Sequence, residues 1–184
     1  STQAKTLFPY TTLFRSADAQ RPETLSAALQ GIDVAYYMLH SLSEHEGFER
    51  IEEEMARNFG AAAKTAGVRR IVYLGGITPP ATELSTHLES RRHTGELLRE
   101  SGVPTTELRA AVIIGSGSAS FEMLRYLTER LPFMITPKLL NNRVQPIAIR
   151  DALQYLVQAA RQEGDQHYIG DIGLIATKVE VGRR

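Results

Sequence analysis

Hydrophobic positions along this chain follow two alternating rhythms. Short unbroken apolar runs are separated by longer stretches in which apolar residues recur every three or four positions. The clearest run is Val68-Arg69-Arg70-Ile71-Val72-Tyr73-Leu74-Gly75-Gly76, entered from a helical stretch that stops at Ala66-Gly67. A run with no wet side is what the centre of a parallel sheet requires, because helices cover both faces there. Ligands of such sheets sit beyond the carboxyl ends of the strands, so a crevice is expected around Gly75 and Gly76.

The remaining elements follow from the same two periods. Pro22 and Glu23, with Leu25, Ala28 and Leu29 at helical spacing, predict a short helix ending at Gly31. Ile32 to Leu39 predicts a buried strand closing at His40-Ser41. From Phe48 to Ala66 the pattern is amphipathic, with Ile51, Met55, Phe59 and Ala62 or Ala63 as its apolar stripe and Gly67 as its stop. A strand over 69–74 comes next, then an extended loop forced by Thr78-Pro79-Pro80. A charged helix is expected from His87 to Ser101, capped by Gly102, and a strand from Thr106 to Ile114 ending in Gly115-Ser116-Gly117-Ser118. Phe121 to Leu131 reads as a helix ended by Pro132, and Phe133–Ile135 and Val144–Ile147 as short extended pieces. The last helix starts at Ile149-Arg150-Asp151 with Ala152, Leu153, Leu156, Val157 and Ala160 as its buried face. Gln166 to Gly170 is a final strand. Alternating strands and helices imply right-handed crossovers and a parallel sheet. The fold class is therefore α/β, a doubly wound parallel sheet; a barrel needs eight strand–helix units, more than this chain shows.

Composition narrows the picture without naming a chemistry. The chain has 184 residues, enough for one domain with a substantial core. With 21 basic and 21 acidic residues, no global field draws it to nucleic acid or an anionic membrane. There is no cysteine, so neither disulfides nor thiolate metal sites form. His45 and His167 have no companions at metal-ligand spacing, and no metal site is expected. No apolar run approaches the roughly 20 residues of a membrane helix, so the chain reads as soluble and cytoplasmic. Residues 6–16, Thr6 to Ser16, have neither period and carry a central proline. They resemble the in-frame translation of a widely used sequencing adapter, so residues 1–16 are set aside as non-native and the native chain is expected to begin near Ala17.

Four segments in order carry a family resemblance: Gly31-Ile32-Asp33-Val34-Ala35-Tyr36-Tyr37, Gly67 to Gly76, Leu108-Arg109-Ala110-Ala111-Val112-Ile113-Ile114-Gly115, and Gln145-Pro146-Ile147-Ala148-Ile149-Arg150-Asp151. Together they resemble the atypical short-chain dehydrogenase/reductases, the NmrA-like, NAD(P)H-binding branch related to nucleoside-sugar epimerases. The resemblance implies a partial NAD(P)-binding Rossmann-type domain over 17–170, with 171–184 unplaced. It implies NAD(P)H as cofactor and a small carbonyl or quinone-like substrate for an oxidoreductase or isomerase; a non-catalytic redox-sensing or assembly module is the alternative. In that family a glycine-rich first turn cradles the pyrophosphate. No such turn follows an early strand here. The expectation is that the first strands lay upstream of Ala17 and that the chain as it stands binds a dinucleotide weakly or not at all.

The resemblance also assigns residues. Asp18 and Ala19 fall after the family's third strand, where a carboxylate accepts from the adenine amino group; Asp18 otherwise reads as a helix N-cap. His40 and Ser41 fall where the cofactor ribose passes, and otherwise read as a polar loop. Family chemistry uses a Ser or Thr, a Tyr and a Lys, the last two one helical turn apart on one face. Here the serine position falls on Gly75 or Gly76, His87 takes the tyrosine's place and Arg91 the lysine's. Histidine can protonate a carbonyl near neutral pH and arginine can bind a ribose hydroxyl. Ser85 is a second donor. Ala111, Val112 and Ile113 would present backbone to the nicotinamide. Arg109 reads as structural, paired with a loop carboxylate. Phe121, Met123, Leu124, Phe133 and Met134 line a substrate pocket or serve as core.

Overall fold

The computed structural model describes residues 15–39, 47–78, 85–115 and 145–173, with Glu122, Arg125, Tyr126, Glu129 and Arg130 between the last two stretches. The elements in chain order are α1 (Pro22–Leu29), β1 (Val34–Tyr37), α2 (Phe48–Thr65), β2 (Arg70–Gly76), α3 (Thr86–Glu100), β3 (Thr105–Ala110), β4 (Val112–Ile114), β5 (Pro146–Ala148), α4 (Ile149–Arg161) and β6 (Tyr168–Asp171). The main sheet is four-stranded in the order β1-β2-β3-β6, and every pairing is parallel. β4 and β5 pair in parallel as a separate two-stranded sheet. Among the described residues this is the expected α/β, Rossmann-like parallel sheet.

The alternation of side chains along β2 divides the core in two. Ile71 and Tyr73 face α1, α2 and α3, packing with Tyr37, Phe59, Ala63, Leu97 and Leu98. Val72 faces the other way, onto Leu108, Ala152, Leu156 and Ala159 beneath α4. A strand that is buried on both faces loses its period-2 signature, which is why Ile71-Val72-Tyr73-Leu74 is apolar without alternation. The left-handed backbone of Gly67, φ +74°, turns the chain from α2 into this strand.

Arg69 and Arg70 interrupt that run for a specific reason. Arg70 is wholly buried; its guanidinium donates to the carbonyls of Gly164 at 2.6 Å, Gln162 and Gln166 at 3.3 Å, and to Thr106 Oγ1 at 3.0 Å. Arg69 donates to the carbonyls of Gln162 at 2.8 Å and Ala160 at 3.1 Å. Both cations thus satisfy carbonyls at and just beyond the C-terminal end of α4, where cation donors are favoured. Helix α4 is pinned to the start of β2, and the loop into β6 with it.

Three expectations are corrected. The strand expected over Thr106–Ile114 is two strands: β3 leaves the main sheet after Ala110, the partner of Gly76, and the chain re-pairs from Val112 with β5. On α2, Phe59, Ala62 and Ala63 of the expected stripe are buried, but toward its start Ile51 is exposed and Glu52 and Ala56 are buried instead. Glu52 tolerates burial because Ser90 Oγ on α3 donates to it. On α4, Ala152, Leu156 and Ala159 are buried while Leu153 and Val157 stand 53% and 48% exposed. The helix expected over Phe121–Leu131 and the extended piece Phe133–Ile135, with the apolar residues expected there, lie mostly outside the described residues. The final strand, expected to end at Gly170, runs to Asp171. Among the described residues no helix is long and apolar enough to cross a membrane.

Candidate functional site

At the carboxyl ends of β1, β2 and β3 lies a cleft of about 300 Å³, lined by Met38, Leu39, Tyr73, Leu74, Gly75, Arg91, Ala110, Ala111 and Ile113. Its origin is the divergence just described. β2 ends in Gly75-Gly76 while β3 gives way at Ala111 to β4, so the strands part and leave a gap beneath α3. The position agrees with the crevice expected from the sequence. Its walls are apolar, and Arg91 is the charged group among its described lining residues.

Several sequence-predicted residues meet here. Gly75, Arg91, Ala111 and Ile113 line the cleft. Gly76 lies beside it: a Cβ there would stand 3.2 Å from Leu88 and 3.5 Å from Arg91 Cδ, so the glycine lets α3 lie close to the strand end. Val112 is exposed at the start of β4 and does not line the cleft.

Others go elsewhere. His87 is exposed in the first turn of α3, its ring stacked on Phe48 of α2 at 5.0 Å between centroids. It is not among the lining residues. Ser85 is the N-cap of α3, its hydroxyl accepting from the Leu88 N–H at 3.4 Å. Asp18 is exposed and accepts from the Gln20 N–H at 2.9 Å in the turn before α1. The N-cap of α1 is Arg21, with no side-chain cap, so the capping alternative for Asp18 is not realised. Ala19 is buried and its carbonyl accepts from Asn58 Nδ2 at 3.0 Å, tying that turn to α2. His40 and Ser41 lie outside the described residues. Arg109 pairs with Asp171 at 2.6 Å, as a structural reading required, although its partner stands at the end of β6 instead of in a loop.

Two residues that sequence reasoning did not single out organise the cleft from behind. Tyr73 is buried and its hydroxyl donates to the Arg91 carbonyl at 3.0 Å; burial pushes its pKa well above the ordinary phenol value. Glu107, opposite Tyr73 in register, is buried in β3 and paired with Arg99. Burial raises its pKa, and the Arg99 charge works against that rise. The signal for Glu107 was in the sequence: a carboxylate inside a strand with no polar face has to have a buried partner.

Fold and cleft together define a class: α/β, Rossmann-like, with a crevice at the strand ends. No protein-family model matches the chain, and no curated protein matches it. Among solved structures it is similar to UDP-N-acetylglucosamine 4-epimerase from Bacillus cereus, with 16% identity and a TM-score of 0.64 over 86% of this chain and 63% of that one. It is similar to the Citrobacter sp. triphenylmethane reductase complexed with NADP(H), with 23% identity and a TM-score of 0.64 over 86% of this chain and 53% of that one. A third is the Bordetella bronchiseptica enzyme WbmG in complex with NAD, with 15% identity and a TM-score of 0.68, covering 85% and 56%. The chain therefore spans between about half and two thirds of the length of these structures.

Proposed function

We propose that this chain is an NAD(P)H-dependent oxidoreductase or isomerase-type domain acting on a small carbonyl or quinone-like substrate. The observation that carries the reading is the cleft at the ends of β1–β3, with Gly75 in its lining and Arg91 over it. Among structures of the same fold, the triphenylmethane reductase is complexed with NADP(H) and WbmG with NAD, which supports the cofactor class. A reduced nicotinamide supplies a hydride when bound.

The residues fit half of such a cofactor. An apolar cleft with a glycine in its lining suits a flat ring, and Arg91 offers donors to ribose hydroxyls. The backbone near Ala111 and Ile113 would orient a carboxamide. The sequence offers no glycine-rich turn after an early strand, so the pyrophosphate half has no cradle of the usual kind. Tyr37 and Tyr73 are poor candidates for the acid, since burial weakens both phenols and the Tyr73 hydroxyl already donates to the Arg91 carbonyl. Proton delivery then falls to His87, one turn before Arg91, and it requires the imidazole to leave Phe48. That stacking is the specific observation favouring the second reading, a non-catalytic NAD(P)H-binding sensor or assembly module.

Titration of the full chain with NADPH and with reduced nicotinamide mononucleotide, followed by nucleotide fluorescence, tests the reading. Both should bind with affinities within about tenfold of each other, because the phosphate half adds little, and Arg91→Ala should weaken both by about tenfold. No binding of either, or binding indifferent to Arg91, removes the cofactor proposal. NADPH consumption with a panel of quinones and aldehydes then separates enzyme from sensor: loss in His87→Ala supports the enzyme, and no turnover in the parent supports the sensor.

A further inference from the structure

Helix α3 carries an unforced glycine, Gly95, on its buried face. In mid-helix a glycine is a poor residue, so close packing is the natural reason for it. A Cβ at Gly95 would lie 2.5 Å from Glu107 Oε2, 2.8 Å from its Cδ and 3.0 Å from Oε1. The carboxylate therefore sits directly against the helix backbone, in a notch that alanine would fill. On the sheet side the notch continues to Gly75, where a Cβ would stand 3.4 Å from Glu107 Oε1 and 3.1 Å from the Tyr73 ring. Arg99, one turn after Gly95, holds the carboxylate in place.

Gly95 lies one turn after Arg91. The Tyr73 hydroxyl, bonded to the Arg91 carbonyl, and the Glu107 carboxylate, seated at Gly95, thus grip α3 at two consecutive turns above β2 and β3. Between them they fix the height of the helix over the cleft. Arg91 has its Cδ against Gly76 and its side chain in the cleft wall, so its placement depends on that height.

The geometry points to Glu107 as a positioning residue: seated between Gly75 and Gly95, it sets the stand-off of α3 and so places Arg91 over the cleft. A buried carboxylate is costly to keep, and a hydrophobic side chain would fill a strand position with less penalty. The glycine notch is shaped for this carboxylate. The inference concerns the Arg91 used in the proposed cofactor site and rests on that reading for its functional meaning, though not for its test.

The test uses the full chain without ligand. Reaction of arginines with phenylglyoxal is followed by peptide mass spectrometry, comparing half-buried Arg91 with exposed Arg57 on α2. Gly95→Ala should raise the rate at Arg91 severalfold while Arg57 keeps its parent rate. Glu107→Asp, which withdraws the carboxylate by one methylene, should do the same, and Glu107→Gln, which keeps the shape, should stay near the parent. An Arg91 rate unchanged in both Gly95→Ala and Glu107→Asp overturns the proposal. So does a common rise at Arg91 and Arg57, which would mean general loosening. If Gly95→Ala does not fold, Glu107→Asp and Glu107→Gln decide. Where NADPH binds the parent, the affinity lost in Gly95→Ala should vanish in an Arg91→Ala background; full loss in that background also counts against positioning. Absence of binding by both NADPH and reduced nicotinamide mononucleotide sinks the cofactor reading and leaves the modification result to judge Glu107 alone.

Discussion

His167 shows how little a single side chain reveals before its neighbours are known. In sequence it is a histidine without metal-ligand companions. In the fold its Nδ1 accepts from the Thr105 N–H at 3.1 Å, which requires the neutral ring with its proton on Nε2. Burial lowers its pKa, and the charges of Arg99 and Arg70 lower it further. The unfolded chain, with an ordinary histidine, therefore takes up the proton first as pH falls. The stability tied to the neutral ring is fully present above the ordinary histidine range and is lost as pH falls from that range through the lowered pKa of the folded state. Urea unfolding between neutral pH and mild acid should show a stability decrease on acidification that is reduced in His167→Gln; an equal slope in both proteins rejects the assignment.

Arg70 makes the same point more forcefully. The sequence shows a cation inside an apolar run, which argues against burial, yet it is wholly buried with its donors spent on Thr106 and on the carbonyls that follow α4. Nothing local to position 70 announces partners more than ninety residues away. Arg70→Met should cost about 3–5 kcal/mol, because it leaves buried carbonyls without donors, whereas the same change at exposed Arg57 should stay within about 0.5 kcal/mol. Equilibrium denaturation of the two variants checks both figures. The candidate site was legible to a similar degree. A strand end and a helical spacing mark Gly75, Gly76 and Arg91 in the sequence, and in the fold Gly75 and Arg91 line the cleft with Gly76 beside it. The setting of His87 against Phe48 depends on how two helices meet, and spacing within one helix cannot supply that.

At the scale of elements, the periods located nearly every helix and strand among the described residues but misplaced some of their faces. A helix with apolar residues around much of its circumference has more than one face that satisfies a 3.6-residue repeat. On α4 both the Leu153–Val157 side and the Ala152–Leu156–Ala159 side qualify, and packing on β2 and β3 chose the second. The small residues won because Ala152 and Ala159 let the helix lie close to the sheet, with Leu156 between them. Leu156→Ala should therefore cost about 2–4 kcal/mol and Leu153→Ala under about 1 kcal/mol, read from urea midpoints at constant slope. Equal costs would mean that the helix presents the other side. The split of the expected strand at Ala111 belongs to the same scale. The apolar run Ala110-Ala111-Val112-Ile113-Ile114 crosses from β3 into β4 and carries no mark of where its pairing partner changes, yet that change opens the cleft.

At the scale of the molecule, the run at 68–76 stands where its composition placed it. β2 is hydrogen-bonded to β1 on one edge and β3 on the other, and it has α2 and α3 on one face and α4 on the opposite face. β1 and β6 are the outer strands of the described sheet, and Tyr36, Met38, Tyr168 and Ile169 leave apolar surface exposed around them. Protection should fall outward from the centre, since opening an edge strand breaks one ladder and exposes little that is not already wet. Native-state amide exchange should place Ile71, Val72 and Tyr73 near the global unfolding free energy. The amides of Tyr168 to Asp171 should exchange through openings that cost at least about 2 kcal/mol less. Addition of a ligand that seats in the cleft should slow exchange at Gly75, Gly76 and Arg91 more than at β6, because binding shifts only the openings that would disrupt it. Uniform slowing across the sheet would mean that the ligand stabilises the fold globally and would give no support to the strand ends as its place; slowing confined to β6 or α4 would put its place elsewhere.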